Sequence, residues 1–94
     1  MSRKPAENID IAGVEQAVWQ LAAPLAEQCG ARLVRVQFVR EAGAWYLRIF
    51  LDRDSSPVDL DLCEQVSNLV SPALDAADPI EPAYYLEVSS PGVE

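Results

Sequence analysis

The first regular apolar pattern of the chain begins at Ile11. From there apolar residues recur at intervals of three and four, which predicts one face of an amphipathic helix. The pattern ends before Gly30, a residue type that accepts the left-handed backbone found at helix C-termini. Pro24 removes one backbone donor and is expected to bend this helix. The apolar stripe stays in phase on both sides of the proline and comprises Val14, Val18, Leu21, Leu25 and Cys29.

Two segments with strand-like alternation follow, residues 32–40 and 45–52, and residues 41–44 between them suit a four-residue hairpin loop. Pairing Arg40 with Trp45 collects the apolar side chains on one face, whereas a slip of one residue would mix the faces. The apolar pairs in this register are Phe38 with Leu47, Val36 with Ile49 and Val34 with Leu51. The opposite face comprises Arg35, Gln37, Val39, Tyr46, Arg48 and Phe50.

A second helix is predicted after a polar loop, with Asp59 as its N-cap. Its apolar stripe comprises Cys63, Val66, Val70, Ala73, Leu74 and Ala77. Pro72 is expected to disturb the last turns. Residues 78–82 end the helix, and residues 84–89 alternate as a third strand with Tyr84 on the apolar side.

The element order predicts an α+β domain, a two-layer αββαβ arrangement in which both helices cover one face of a three-stranded sheet. A helical crossover should bring the third strand parallel to the second, and the first strand is placed in the centre. Residues 1–10 are expected to form a flexible tail and residues 11–90 the folded domain.

Charge is distributed unevenly along the chain. Of the net charge of -8, residues 1–53 contribute +1 and residues 54–94 contribute -9, since every lysine and arginine precedes residue 54. Nucleic-acid affinity comes largely from basic residues, so this balance argues against a general nucleic-acid binder and favours a basic partner. No apolar run is long enough for a membrane span or a signal peptide, which predicts a cytoplasmic protein that does not contact membranes.

Metal, cofactor and catalytic chemistry find little support in the residue types. The chain has no histidine, and Cys29 and Cys63 fit no metal spacing, so both are expected as reduced core thiols. Asp52 and Asp54 resemble the start of a calcium loop, but Pro57 stands where that loop requires glycine. No cofactor, metal or catalytic residue is therefore expected, and the chain is interpreted as a non-enzyme.

Two surfaces are candidates for partner binding. On the outer hairpin face, Arg35, Tyr46, Arg48 and Phe50 have the chemistry of a single-stranded RNA platform. They also suit a docking face for a protein or a domain, or a structural face on which Glu87 and nearby acids pair with the arginines. The second surface is acidic and suits either a basic partner or simple solvation. Its candidate binding residues are Asp54, Asp59, Asp61 and Glu64; Asp75, Asp78, Glu81 and Glu87 complete this acidic sector.

Several separated segments together resemble one family. The runs at residues 45–52, 63–67, 75–80 and 84–92, above all Tyr-Leu-Glu-Val-Ser-Ser-Pro-Gly, are similar to the N-terminal domain of the bacterial ribosome maturation factor RimP. The resemblance implies a non-enzymatic factor needed for assembly of the small (30S) ribosomal subunit. Asp59 stands where threonine is usual, and both side chains cap helices. Pro72 departs from the family's uninterrupted helix.

The resemblance also implies the partners and the domain context. The expected partners are the immature small subunit and a basic small-subunit ribosomal protein, contacted by a monomer that acts as a docking and scaffolding domain. An RNA-binding module that uses the hairpin face is the alternative. Residues 91–94 would begin a linker to a C-terminal SH3-like domain missing from this chain. The linker residues implied are Ser89, Ser90, Pro91 and Gly92.

Overall fold

A computed structural model describes residues 9–54 and 56–90. The described elements follow the predicted αββαβ order and form an α+β fold with both helices on one face of a three-stranded sheet. The elements are α1 (Ile11–Gln28), β1 (Arg32–Glu41), β2 (Ala44–Asp52), α2 (Leu60–Ala77) and β3 (Tyr84–Ser89). Most of the predicted tail, residues 1–8, lies outside the described residues.

The helix α1 begins with a side-chain cap. The Asp10 carboxylate accepts a hydrogen bond of 3.0 Å from the backbone N–H of Gly13, which satisfies one of the donors left free at a helix start. A Cβ atom at Gly13 would collide with the same carboxylate, so glycine permits this close approach. The helix continues through Pro24, and Gly30 follows it with φ of 79°.

The hairpin turn is shorter than predicted. Glu41 pairs with Ala44, so the connection contains only Ala42 and Gly43, and the predicted four-residue loop is wrong. Both residues have positive φ, 52° and 81°. This backbone matches the twist of the flanking strands in two-residue hairpins, which explains why the short turn is adopted even though alanine is disfavoured there.

The predicted register holds from the turn to the pair formed by Arg35 and Phe50, and a β-bulge between Arg35 and Leu33 then shifts it. Leu33, and not Val34, lies opposite Leu51, so the predicted Val34–Leu51 pair is wrong. The extra residue turns Val34 outwards at 43% exposure and places the longer Leu33 in the core at 6%. The bulge thus exchanges a smaller buried side chain for a larger one.

The sheet order is β1-β2-β3, with β3 parallel to β2 as predicted. The prediction that β1 is central is wrong. Consecutive strands joined by a helical crossover can pair directly, and this places β2 between its two chain neighbours. The central strand accordingly has the most completely buried inner face, formed by Trp45, Leu47, Ile49 and Leu51.

The helix α2 runs from its Asp59 cap to Ala77 without interruption at Pro72, which is exposed, so the predicted disturbance is absent. The buried stripe of α2 consists of Leu62, Val66, Val70 and Leu74. Cys29 and Cys63 are free and half-buried, and Cys29 packs against the core. The two helices and the inner sheet face therefore share one core and leave the outer sheet face uncovered by helix.

Candidate functional surfaces

The outer sheet face collects side chains from all three strands. Arg35 lies opposite Phe50 on the neighbouring strand, and Tyr46 lies beside Tyr85 of β3. Alternation in the strands directs these residues away from the helices, as the sequence pattern predicts. The structure thus brings the predicted hairpin residues onto one surface and adds the outward-facing residues of β3 to it.

Arg48 at the centre of this face is held by two carboxylates. Its Nε donates to Glu87 at 2.8 Å, and its two terminal nitrogens donate to Glu41 at 3.0 and 3.2 Å. The guanidinium carbon lies 5.2 Å from the centre of the Tyr46 ring, which in turn stacks on Tyr85 with ring centres 5.5 Å apart. The hydrogen bonds to Glu41 and Glu87 raise the pKa of Arg48, and Arg48 in turn lowers the pKa of Glu41. The predicted structural role of Glu87 is therefore present in the fold.

Arg35 differs from Arg48 in having no carboxylate partner within residues 9–54 and 56–90. It is exposed at one end of the face, beside the bulge. Glu41 and Glu87 carry two negative charges, which equal the two positive charges of Arg35 and Arg48. These four side chains therefore give the outer sheet face no excess positive charge. A phosphate at Arg48 would have to displace two existing ion pairs.

The four candidate acids divide into two pairs. Asp54 accepts from Arg32 at 2.8 Å, and this pairing contributes most to raising the pKa of Arg32. Asp59 accepts from the backbone N–H of Leu62 at 2.9 Å as the cap of α2. Their carboxylates therefore already serve the fold. By contrast, the other two acids are exposed and form no ion pair in the described part of the chain; they are Asp61 and Glu64.

Sequence reasoning missed a cleft at the shared end of β2 and β3. The cleft has a volume of about 340 Å³ and lies where these parallel strands begin. The residues that line it are Gly43, Ala44, Trp45, Ala83, Tyr84 and Tyr85. The signal was present in the sequence, because Trp45-Tyr46 and Tyr84-Tyr85 begin two strands predicted to run parallel. We call this pocket the aromatic cleft.

The inner wall of the aromatic cleft lies near the C-terminal end of α2. Burial raises the pKa of the Tyr84 phenol, and the charges of Asp75 and Asp78 raise it further. Trp45 is held from behind by Phe38, whose ring stacks on it with centres 4.4 Å apart. The cleft is therefore lined mainly by aromatic side chains, of which Trp45 is held in place by its stacking on Phe38.

The remaining predictions concern metals, membranes and the linker. Asp52 and Asp54 both bind Arg32, and no group of three or more potential metal ligands occurs among the described residues. Within those residues no helix is long and apolar enough to cross a membrane. Ser89 ends β3 and Ser90 follows it. The predicted linker positions Pro91 and Gly92 lie outside the described residues.

Comparison with models of known protein families identifies a relationship for this chain. Residues 21–94 match the family model described as the RimP N-terminal domain. The matched range contains the C-terminal part of α1, residues 21–28, and all four later elements, so it includes both the outer sheet face and the aromatic cleft.

Proposed function

Because this chain belongs to the RimP N-terminal domain family, whose members are ribosome maturation factors, we propose that it serves assembly of the small (30S) subunit as a non-enzymatic docking domain. In this proposal the domain works as a cytoplasmic monomer, binds the immature subunit and holds local structure until later proteins arrive. Its direct partner is a basic ribosomal protein. Ser89 and Ser90, at the end of β3, begin the linker that leads away from the domain.

The placement of Arg48 is the observation that favours a protein partner. Its guanidinium is already engaged by Glu41 and Glu87, so the centre of the outer sheet face offers no free cation to a phosphate. In addition, Asp61 and Glu64 remain unpaired in the described part of the chain and can attract a basic surface. Electrostatic attraction of this kind raises the association rate and weakens as salt is added.

An RNA-binding module is the second candidate, because Tyr46 and Phe50 share the outer sheet face with Arg35, which has no carboxylate partner among the described residues. Aromatic rings can stack on unpaired bases, and an adjacent arginine can contact the phosphate. This function depends on Arg35, whereas docking to a basic protein depends on the exposed acids. The two candidates therefore make opposite predictions for charge substitutions.

Co-sedimentation of the chain with immature small subunits tests the proposal. We expect binding that falls as salt rises, that weakens in the double variant Asp61→Asn with Glu64→Gln, and that persists in Arg35→Glu. A gel shift with naked small-subunit RNA completes the test. Tight binding to naked RNA that is lost in Arg35→Glu would establish the RNA module instead, and no binding to immature subunits would refute docking.

A further inference from the structure

A second groove lies where α1 passes the free edge of β1, on the side of the sheet order opposite to β3. It has a volume of about 300 Å³, and the residues that line it include Glu15 and Trp19 of α1 and Val34, Arg35 and Val36 of β1. Trp19 is 37% exposed and Val34 is 43% exposed. We call this pocket the edge groove. It combines exposed apolar side chains with the backbone of an edge strand.

Backbone groups of β1 face the edge groove. The N–H of Phe38 points away from β2, since it donates to the Glu15 carboxylate. In an antiparallel pair, residues that bond to the neighbouring strand alternate with residues that face away from it. Val36 is two residues from Phe38 in a regular part of the register, so its N–H and C=O also face the free edge. An extended segment of another chain can pair with these groups.

Two features limit the length over which such a segment can pair. Glu15 already occupies the N–H of Phe38, and the β-bulge between Leu33 and Arg35 interrupts the strand on the other side of Val36. Covered donors and bulges are devices that keep edge strands from pairing without limit. The open stretch is therefore short and centred on Val36, which favours a short bound segment over a continuous sheet between two copies of this chain.

The two side-chain positions beside this stretch differ in chemistry. A residue paired with Val36 would point to the inner side of the sheet, towards Trp19 on α1, because cross-strand neighbours share a face. The next residue of the segment would point to the outer side, as Arg35 does. Arg35 is exposed and has no carboxylate partner within the described residues. The edge groove therefore suits an apolar residue that adjoins an acidic one.

We propose that the edge groove binds a short extended segment of an acidic partner protein, in which a large apolar residue adjoins a glutamate or an aspartate. The segment adds to β1 at Val36, its apolar side chain packs on Trp19, and its carboxylate binds Arg35. In this mode of recognition main-chain hydrogen bonds supply affinity and alternate side chains supply specificity. The inference goes beyond docking on a basic protein, because it assigns a different surface and a partner of opposite charge.

Local charge favours an acid in the edge groove. Glu15 also lines the groove, but its carboxylate already accepts from Phe38, whereas the Arg35 guanidinium can donate two hydrogen bonds to a carboxylate. A basic residue beside Arg35 would be repelled. The whole chain has a net charge of -8 and attracts basic peptides non-specifically. A preference for an acidic peptide must therefore come from a local site.

NMR titration with three short peptides tests the proposal. Each peptide contains one leucine, flanked on both sides by glutamate in the first, by glutamine in the second and by lysine in the third. We expect the glutamate peptide to shift the Val36 amide and the Trp19 indole, and to bind there at least fivefold more tightly than the other two. Equal binding of the glutamate and glutamine peptides, or shifts confined to the aromatic cleft, would overturn the proposal.

Backbone pairing is tested by methylation of single amide nitrogens in the glutamate peptide, which removes one donor at a time. Methylation at the leucine blocks antiparallel addition opposite Val36, and methylation at the following residue blocks parallel addition. One of these two changes should weaken binding at least tenfold. Full affinity in both methylated peptides would exclude strand addition.

Matched variants locate the carboxylate of the peptide. Arg35→Gln should weaken binding of the glutamate peptide about fivefold and leave the glutamine peptide unaffected. Arg40→Gln removes the same charge from an exposed position of the same strand, outside the groove lining, and should change binding less than twofold. An equal loss in both variants would show a general charge effect and refute the site.

The apolar contact is tested by Trp19→Phe, which should retain most of the binding, against Trp19→Ala, which should lose most of it for the glutamate and glutamine peptides alike. Circular dichroism checks that both variants are folded. Equal binding by the two variants would exclude packing on Trp19.

Other occupants of the edge groove would give different results, and each would overturn the proposal. Val36 shifts that depend on the concentration of the chain alone would identify a second copy. A single-stranded RNA oligomer that binds at Val36 more tightly than the glutamate peptide would identify nucleic acid. A Val36 shift in peptide-free Glu7→Gln or Glu94→Gln would assign the groove to residues 1–8 or 91–94 of this chain. Co-sedimentation with immature subunits is measured separately, so this inference can fail while the proposed docking function stands.

Discussion

The carboxylate of Glu15 on α1 accepts a hydrogen bond of 2.9 Å from the backbone N–H of Phe38 on β1. This N–H belongs to a strand at the edge of the sheet, where backbone donors have no neighbouring strand to bind. A side chain from the first helix therefore satisfies a donor on the free edge of β1. The contact ties α1 to the hairpin across 23 residues of sequence.

Removal of that acceptor should destabilise the fold. We expect Glu15→Ala to lower the free energy of unfolding by about 1.5 kcal/mol, because a partly buried N–H loses its partner. Glu15→Gln retains an acceptor oxygen and should cost less. Urea unfolding followed by circular dichroism measures both, with Gln16→Ala as the exposed neighbour control. Equal effects at positions 15 and 16 would contradict this role.

The bulge predicts opposite consequences for two adjacent residues. Leu33→Ala should lower the free energy of unfolding by about 2–4 kcal/mol, because it empties a core position. Val34→Ala should cost less than about 1 kcal/mol, since that side chain is largely exposed. Chemical unfolding of the two variants compares these positions directly. A larger loss of unfolding free energy in Val34→Ala than in Leu33→Ala would support the register without a bulge, in which Val34 is the buried residue.

The hairpin turn contains strain that one substitution can relieve. Alanine is disfavoured at the φ of 52° found at Ala42, whereas asparagine followed by glycine suits this turn. We expect Ala42→Asn to raise the free energy of unfolding by about 0.5–1 kcal/mol. Thermal unfolding provides the measurement. Ala44→Asn, at the first paired position of β2, is the control and should bring no gain.

The ion pairs of Arg48 should appear in the pH dependence of stability. Arg48 lowers the pKa of Glu41 below its ordinary value of 4.5. A carboxyl group with a lowered pKa stabilises the fold above its unfolded pKa, and that stabilisation is lost as the pH falls through the folded value. The stability difference between the wild type and Arg48→Met should therefore be largest above pH 4.5 and shrink below it.

NMR titration of the Glu41 carboxyl checks the cause directly. Its pKa should rise towards 4.5 in Arg48→Met. In Arg35→Met it should stay low, because Arg35 has no carboxylate partner in the described part of the chain. An unchanged Glu41 pKa in Arg48→Met would show that another group lowers it.

Periodicity in the sequence was sufficient for the elements and their order. The stripes around Val18 and Val66 identify the buried helix faces, and alternation around Phe38 identifies the inner sheet face. Periodicity could not locate the bulge, because Leu33 and Val34 are adjacent aliphatic residues and the sequence pattern alone allows either of them to be the buried one. It also could not choose the central strand, since both hairpin strands alternate in the same way.

The sequence predicted which residues share each candidate surface, but it did not predict which of their charges are paired. The outer hairpin residues share a face as expected, but the state of Arg48 depends on the two-residue turn that brings Glu41 within reach. The aromatic cleft was missed because it requires the starts of two strands to be adjacent. The raised pKa of Tyr84 further depends on burial and on the charges of Asp75 and Asp78 at the end of α2, a tertiary arrangement that no local pattern encodes.

The parallel pairing of β2 and β3 also places the start and the end of β3 at opposite ends of the sheet. The aromatic cleft lies where the two strands begin, whereas Ser89 pairs with Phe50 at the other end of β3. Five residue steps of strand separate Tyr84 from Ser89, about 17 Å. A fluorescent label attached after Ser90 would therefore start well away from the aromatic cleft and leave the residues that line it unobstructed.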